Sequence, residues 1–204
     1  MAFFSEDAVT GWQGLLRRLV VSMERKNDAE APKGTSPTQP SSNYIPMTVE
    51  TFDNHIYFYA DVDTDRCLDL IRKIRETDNE LRRQATSRML PDDHPPVPIW
   101  LHIQSNGGEL FTGLNIADQI SKIQTPIYSI VEGMCASAAT LISLAANKRY
   151  ILPSSFMLIH QITSWGWGRI KYDELKDEMH LQNMLVEQLY SFYSKRTMMN
   201  KTTI

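Results

Sequence analysis

Gly133-Met134-Cys135-Ala136-Ser137-Ala138-Ala139-Thr140, taken with Met157-Leu158-Ile159-His160-Gln161, decides how this chain is organised. A serine among small residues opens an apolar stretch, and a histidine closes the next strand-like run. Small side chains on both sides of Ser137 let a substrate backbone come close. The first turn of a helix there leaves N–H groups without intrahelical partners and puts positive dipole character beside the hydroxyl. Both features suit a nucleophilic serine, whose weak hydroxyl needs a base and whose tetrahedral intermediate needs N–H donors. A second source of donors lies upstream, where Ile99-Trp100-Leu101-His102-Ile103-Gln104-Ser105 runs into Asn106-Gly107-Gly108.

Strand and helix signals alternate around this centre. Ile56-Tyr57-Phe58-Tyr59-Ala60 reads as a strand, and Cys67, Leu70, Ile71 and Ile74 recur at helical spacing in a helix ending near Glu76. The charged stretch 77–96 extends that helix into an exposed loop. A strand over 97–104 precedes a helix from about Glu109 with Leu110, Gly113, Leu114, Ala117 and Ile120 on one face. Pro126 introduces a strand over 127–131, and a helix opens at Cys135 and runs to about Ala146. Short strands follow at 149–152 and 156–160. Ser164-Trp165-Gly166-Trp167-Gly168-Arg169 has the alternation and glycines of a ribbon turn. A long helix over 172–196 then carries Leu181, Met184, Leu185, Leu189, Phe192 and Tyr193 on one stripe, for an intersubunit contact or for its own domain. This alternation argues for an α/β fold with a mainly parallel sheet.

The N-terminal part differs. Residues 27–43 are rich in Pro, Ser, Thr and charge, too polar to support a core, and read as a linker. Gly14-Leu15-Leu16-Arg17-Arg18-Leu19-Val20-Val21 ahead of it reads as an amphipathic helix, with no basic lead-in to a secretory signal. The division expected is therefore 1–43 as amphipathic segment and linker and 44–204 as the folded domain.

Composition narrows the function. The chain has 204 residues, 42% of them hydrophobic, enough for one full-sized core. A net charge of −3 argues against nucleic acid as the main partner. The longest apolar run, 134–146, is too short to span a bilayer, so no membrane partner is expected. Cys67 and Cys135 are far apart without metal-ligand spacing, which favours a reducing, cytoplasmic setting and calls for no metal. Gly107-Gly108 lacks the spacing and lysine of a phosphate loop. Cys135 reads as a small buried residue half a helical turn or more from Ser137. His55, His94, His102 and His180 lack the context of His160 and read as structural or surface residues.

The loop at 105–108, the block at 133–140 and the block at 157–161, in that order, resemble the proteolytic subunits of the Clp proteases over residues 44–204. The resemblance implies a Clp/crotonase-type spiral of repeated ββα units, with a protruding handle made from the ribbon turn and the long helix. It implies a serine endopeptidase with Ser137 as nucleophile and His160 as general base. Gly107 and Ala138 would supply the oxyanion-hole N–H groups, and Gly108, Glu109 and Leu110 would line an extended substrate. No cofactor is implied. The implied partners are further copies in a ring, heptameric and stacked, an unfolded protein or peptide as substrate, and an AAA+ unfoldase. Rival readings are a structural ring subunit without activity and a crotonase-type acyl-CoA enzyme, although no basic cluster for CoA stands out.

The family's catalytic aspartate is expected beyond Ile204, where Asn200-Lys201-Thr202-Thr203 looks like the start of a further helix. Asp173 and Asp177 do not match it. Other departures are Asn106 in place of the loop proline, a shorter turn between Ser137 and His160, an insertion at 77–96, and too little chain over 46–56 for an axial loop and first helix. Together they suggest a divergent phage-encoded or organellar branch.

Overall fold

The computed structural model describes residues 49–89, 95–163 and 171–200. The expected N-terminal helix, the linker and the ribbon turn at 164–169 lie outside them.

Burial alternates along the strand Ile99–Ser105, where Ile99, Leu101 and Ile103 are fully buried. That period makes one sheet face a core face. Ile56 and Phe58 on one side and Ile127 and Val131 on the other continue it. The elements in chain order are β1 (Val49–Phe52), β2 (His55–Phe58), α1 (Thr64–Ser87), β3 (Ile99–Ser105), α2 (Leu110–Ile120), β4 (Ile127–Ala136), α3 (Ala138–Ala145), β5 (Lys148–Ile151), β6 (Phe156–Leu158) and α4 (Tyr172–Arg196). The sheet runs β1-β2-β3-β4-β5, with β6 also paired to β4. Among the described residues only β1–β2 is antiparallel. The expected α/β architecture with a mainly parallel sheet is present.

Three boundaries differ from the sequence reading, each for a tertiary reason. The hairpin strand β1 was not anticipated. Only Val49 of its four residues is buried, so no alternation marks it. The first helix does not end near Glu76 but continues to Ser87. Its cap is Asp63, whose carboxylate accepts the Arg66 N–H at 2.9 Å. Past Glu76 it is held from outside, because buried Asp78 accepts the N–H and hydroxyl of Thr125 at 3.0 and 2.5 Å. Glu80 bonds Arg83 and Gln84 on the exposed side. The third difference is the helix assigned to open at Cys135. Cys135 and Ala136 are still strand, paired to Met157 and Leu158, and the helix begins only at Ala138.

The helices cover the core face. Cys67, Leu70, Ile71 and Ile74 of α1, and Ile116 and Ile120 of α2, join the strand residues in the main core. A second cluster unites Ala117 of α2, Leu141 and Leu144 of α3, and Phe192 and Tyr193 of α4, with Leu110, Leu114, Ile159 and Leu189 at its edge. The stripe on α4 is therefore divided. Its C-terminal third packs on its own domain, while Leu181 and Met184 are exposed, as are Leu175 and Met179 on the same helix.

Candidate active site

Strand β4 sets the position of Ser137 by an irregularity. Ile103 pairs with Val131, but the next pair on β3 is Ser105 with Cys135, so β4 carries extra residues around Gly133. Gly133 has φ +84 and its N–H donates to Ser155 Oγ at 2.7 Å. The bulge moves β4 from β5 to β6 and delivers its end to a sharp turn at Ser137.

Ser137 has φ +53 and ψ −128, a conformation a residue with a side chain rarely adopts. It costs about 1–3 kcal/mol and persists only where the surroundings over-determine it. They do so here. The Ser137 N–H donates to Leu158 O at 2.8 Å, and the Ser137 carbonyl accepts from Thr140 N–H at 3.0 Å and from Thr140 Oγ1 at 2.6 Å.

The glycine loop lies against this turn. A Cβ on Gly107, at φ +95, would come within 2.7 Å of Ser137 Cβ and 2.6 Å of Ala136 O, so only glycine fits. On the other side the loop is pinned to Val62. The Val62 N–H donates to Gly107 O, and Val62 O accepts the Glu109 N–H, both at 2.8 Å. A Cβ on Gly108 would strike Val62 O at 2.3 Å. The Gly107 N–H donates back to Ser105 Oγ at 3.1 Å. Among the described residues, neither the Gly108 nor the Ala138 N–H has an acceptor. Ala138 is the first residue of α3, where a free N–H is expected.

His160 stands two residues past β6 and is exposed. Its Nδ1 lies 2.7 Å from Gln161 O. A carbonyl can only accept, so Nδ1 carries the proton, and in the neutral ring Nε2 is an acceptor with no partner among the described residues. No carboxylate bonds His160 among the described residues, nor does Ser137.

One cleft of about 800 Å³ gathers these groups. Ser137, His160, Gly107, Ala138, Gly108, Glu109 and Leu110 all line it. Sequence reasoning missed its other walls. Asp61, Val62 and Asp63 form one side, and Leu141, Ile162, Leu189 and Tyr193 form an apolar floor. A second cavity of about 330 Å³ adjoins it through His160, Gln161, Ile162, Leu189 and Tyr193. The Glu109 carboxylate is engaged by the hydroxyls of Thr112 and Thr64 at 2.7 and 3.2 Å. Burial pushes the Asp63 carboxyl up, but the Arg66 N–H and guanidinium outweigh it and hold the pKa below its ordinary value.

The thiols are not competitors. Cys135 is fully buried, and burial pushes its pKa to about 12, which leaves no thiolate to attack. The separation from Ser137 arises from the strand-to-turn transition and not from a helix.

His102 and His55 belong to another arrangement, on the sheet face away from the helices. His102 Nδ1 is 2.7 Å from Glu132 Oε1, its Nε2 is 2.9 Å from His55 Nδ1, and Tyr59 donates its hydroxyl to Glu132 Oε2. Tyr57 stacks on the His102 ring at 4.3 Å. Burial raises the Glu132 pKa, but the Tyr59 and His102 bonds prevail and hold it below the usual carboxylate value. His180 is exposed on α4, and His94 lies outside the described residues.

A bulged parallel strand delivers a strained serine against a glycine loop, in a cleft that a histidine also lines, within an α/β fold. The Clp protease family model matches residues 53–204, and the chain belongs to that family. Similar curated relatives are the ATP-dependent Clp protease proteolytic subunit 2 of Treponema denticola, 47% identical over 66 residues, and that of Treponema pallidum, 44% identical over 66 residues. Each alignment covers 31% of this chain and 33% of the relative. The proteolytic subunit of Leuconostoc citreum is 39% identical over 69 residues, 33% of this chain and 34% of the relative. The chain thus spans about a third of the length of the curated relatives it matches.

Proposed function

We propose that this protein is a serine endopeptidase that cleaves unfolded polypeptides, with Ser137 as nucleophile and His160 as general base. The observation that carries the reading is the convergence in one cleft of a strained serine, a histidine with Nε2 free to accept, and two unengaged backbone donors. Ser137 Oγ attacks the scissile carbonyl carbon while His160 Nε2 takes its proton. The C–N bond then breaks as the imidazolium returns that proton to the leaving amine, and water releases the acyl group by the same route. Nδ1–H donation to Gln161 O fixes the required tautomer. Catalytic hydrogen bonds tighten when substrate binds, so the missing Ser137–His160 bond is compatible with these roles.

The oxyanion donors are assigned to Ala138 and Gly108, one residue on from the Gly107 expected. The Gly107 N–H is spent on Ser105 Oγ, and that of Gly108 is not. Glu109 and Leu110, next along the loop, are proposed to flank an extended substrate. A metal ion or cofactor is not called on in these steps. The further proposals are a ring of like subunits, delivery of substrate by a separate ATP-driven unfoldase, and action in the cytoplasm. Among the described residues, no helix is long and apolar enough to cross a membrane.

Hydrolysis of an unstructured fluorogenic peptide tests the reading. Ser137→Ala should lower turnover by at least about a thousandfold, the usual scale for a missing nucleophile, with assembly unchanged. Turnover above a tenth of wild type in that variant contradicts the nucleophile assignment.

A further inference from the structure

Backbone supports hold the Ser137 turn at Leu158 O, at the Thr140 N–H and at the glycine loop. A further support is made of side chains, and these can be removed one at a time. Thr140 Oγ1 lies 2.6 Å from Ser137 O and 2.7 Å from the Tyr193 hydroxyl. Thr140 has one hydroxyl proton. The Ser137 carbonyl can only accept, so that proton goes to it, and Tyr193 must be the donor of the other bond. Thr140 is fully buried and Tyr193 is 5% exposed, so water cannot readily replace either partner. Tyr193 comes from α4, distant in sequence, and its ring packs with Leu141 and Leu144 of α3. Tyr193 also lines the cleft.

We propose that Tyr193 is a positioning residue for the nucleophile: it orients Thr140, and Thr140 holds the Ser137 carbonyl so that the serine stays in the conformation that lines the cleft. This rests on the reading of Ser137 as nucleophile. Neither Tyr193 nor Thr140 touches the reacting atoms. Their effect is on how often the serine is aimed correctly, and so on the rate of attack more than on substrate binding. Burial raises the Tyr193 pKa above its ordinary value, so the phenol keeps its proton in mildly alkaline assays as well.

The test compares Tyr193→Phe, Thr140→Val, the double variant and Thr140→Ser in the full chain. Readouts are kcat and KM for peptide hydrolysis, the rate of fluorophosphonate labelling at Ser137, and the thermal midpoint. Thr140→Val should lower kcat and labelling about tenfold with KM within about twofold, since it removes the hydroxyl bond to the Ser137 carbonyl and leaves that carbonyl only the Thr140 backbone N–H. Tyr193→Phe should lower both about fivefold, because Thr140 keeps its proton but loses its orientation. The double variant should match Thr140→Val, as expected of two residues acting through one chain of bonds. Thr140→Ser should restore kcat to within about twofold. Unchanged kcat and labelling in both single variants overturns the proposal, and so do additive losses in the double variant. Failure of the nucleophile reading looks different, with wild type unlabelled and no faster than Ser137→Ala. The positioning claim is then decided by the crystal structure of Thr140→Val. Ser137 φ should leave the region of +53, and an unmoved Ser137 overturns the proposal.

Discussion

Two histidines, one within strand β3 and one past the end of β6, divide the requirements of a catalytic base between them. His102 is buried and hydrogen-bonded to the Glu132 carboxylate at 2.7 Å, an arrangement like half of a catalytic triad. His160 is exposed and, among the described residues, bonds only a neighbouring carbonyl. Yet His102 has both ring nitrogens occupied, one by Glu132 and one by His55. His160 keeps Nε2 unbonded among the described residues and lines the cleft that contains Ser137. An orienting partner alone does not make a base. An unoccupied nitrogen at a cleft with a nucleophile does.

The largest effect that would break this contrast is catalytic. His160→Gln should lower peptide turnover by at least about a thousandfold, whereas His102→Gln should leave kcat within about twofold. The stability order is reversed. Removing the His102 ring takes one partner each from Glu132, which keeps Tyr59, and from His55, and should cost about 1–3 kcal/mol in denaturant unfolding. His160→Gln should cost little, because the side chain is exposed and, among the described residues, bonds only its neighbour. A His102 variant that folds normally but loses turnover would erase the distinction.

A smaller effect concerns pH. The Glu132 pKa is lower in the folded protein than in the unfolded chain, so the unfolded state binds protons first as pH falls. The stabilisation is fully present above the unfolded value of about 4.5 and is lost as pH drops through the lower folded value. Glu132→Gln should therefore be less stable than wild type at pH 7, and the difference should shrink in acid titrations followed by circular dichroism below about pH 4.5. A constant difference across that range would mean that Glu132 is not held by Tyr59 and His102. Smallest of all is the N-terminus. Deleting residues 1–43 should shift the thermal midpoint by no more than about 2 °C, and a much larger drop would place Leu15, Leu16 and Leu19 in the core.

The cleft was more legible in the sequence than the boundaries around it. Glycine at Gly107 and Gly108 and small residues around Ser137 are demanded by backbone approach, so composition alone marks them. The end of β4 was not legible. Cys135 and Ala136 suit strand or helix equally, and long-range pairing with β6 decides. The Asp61-Val62-Asp63 wall was invisible because Val62 joins the loop through its backbone, which leaves no side-chain signature. The continuation of α1 depended on Asp78 meeting Thr125, 47 residues away in sequence. The pairing of Tyr193 with Thr140 was hidden too, since Tyr193 reads only as part of an apolar stripe.

The most direct test of the central claim is the site of covalent capture. The protein is treated with a fluorophosphonate and the modified residue is located by peptide mass spectrometry in wild type, His160→Gln and His102→Gln. The label should fall on Ser137 alone, persist at close to the wild-type rate in His102→Gln, and slow by about a thousandfold in His160→Gln. A label on any other residue, or equal labelling of Ser137 with and without His160, would contradict the assignment of Ser137 and His160 as nucleophile and base.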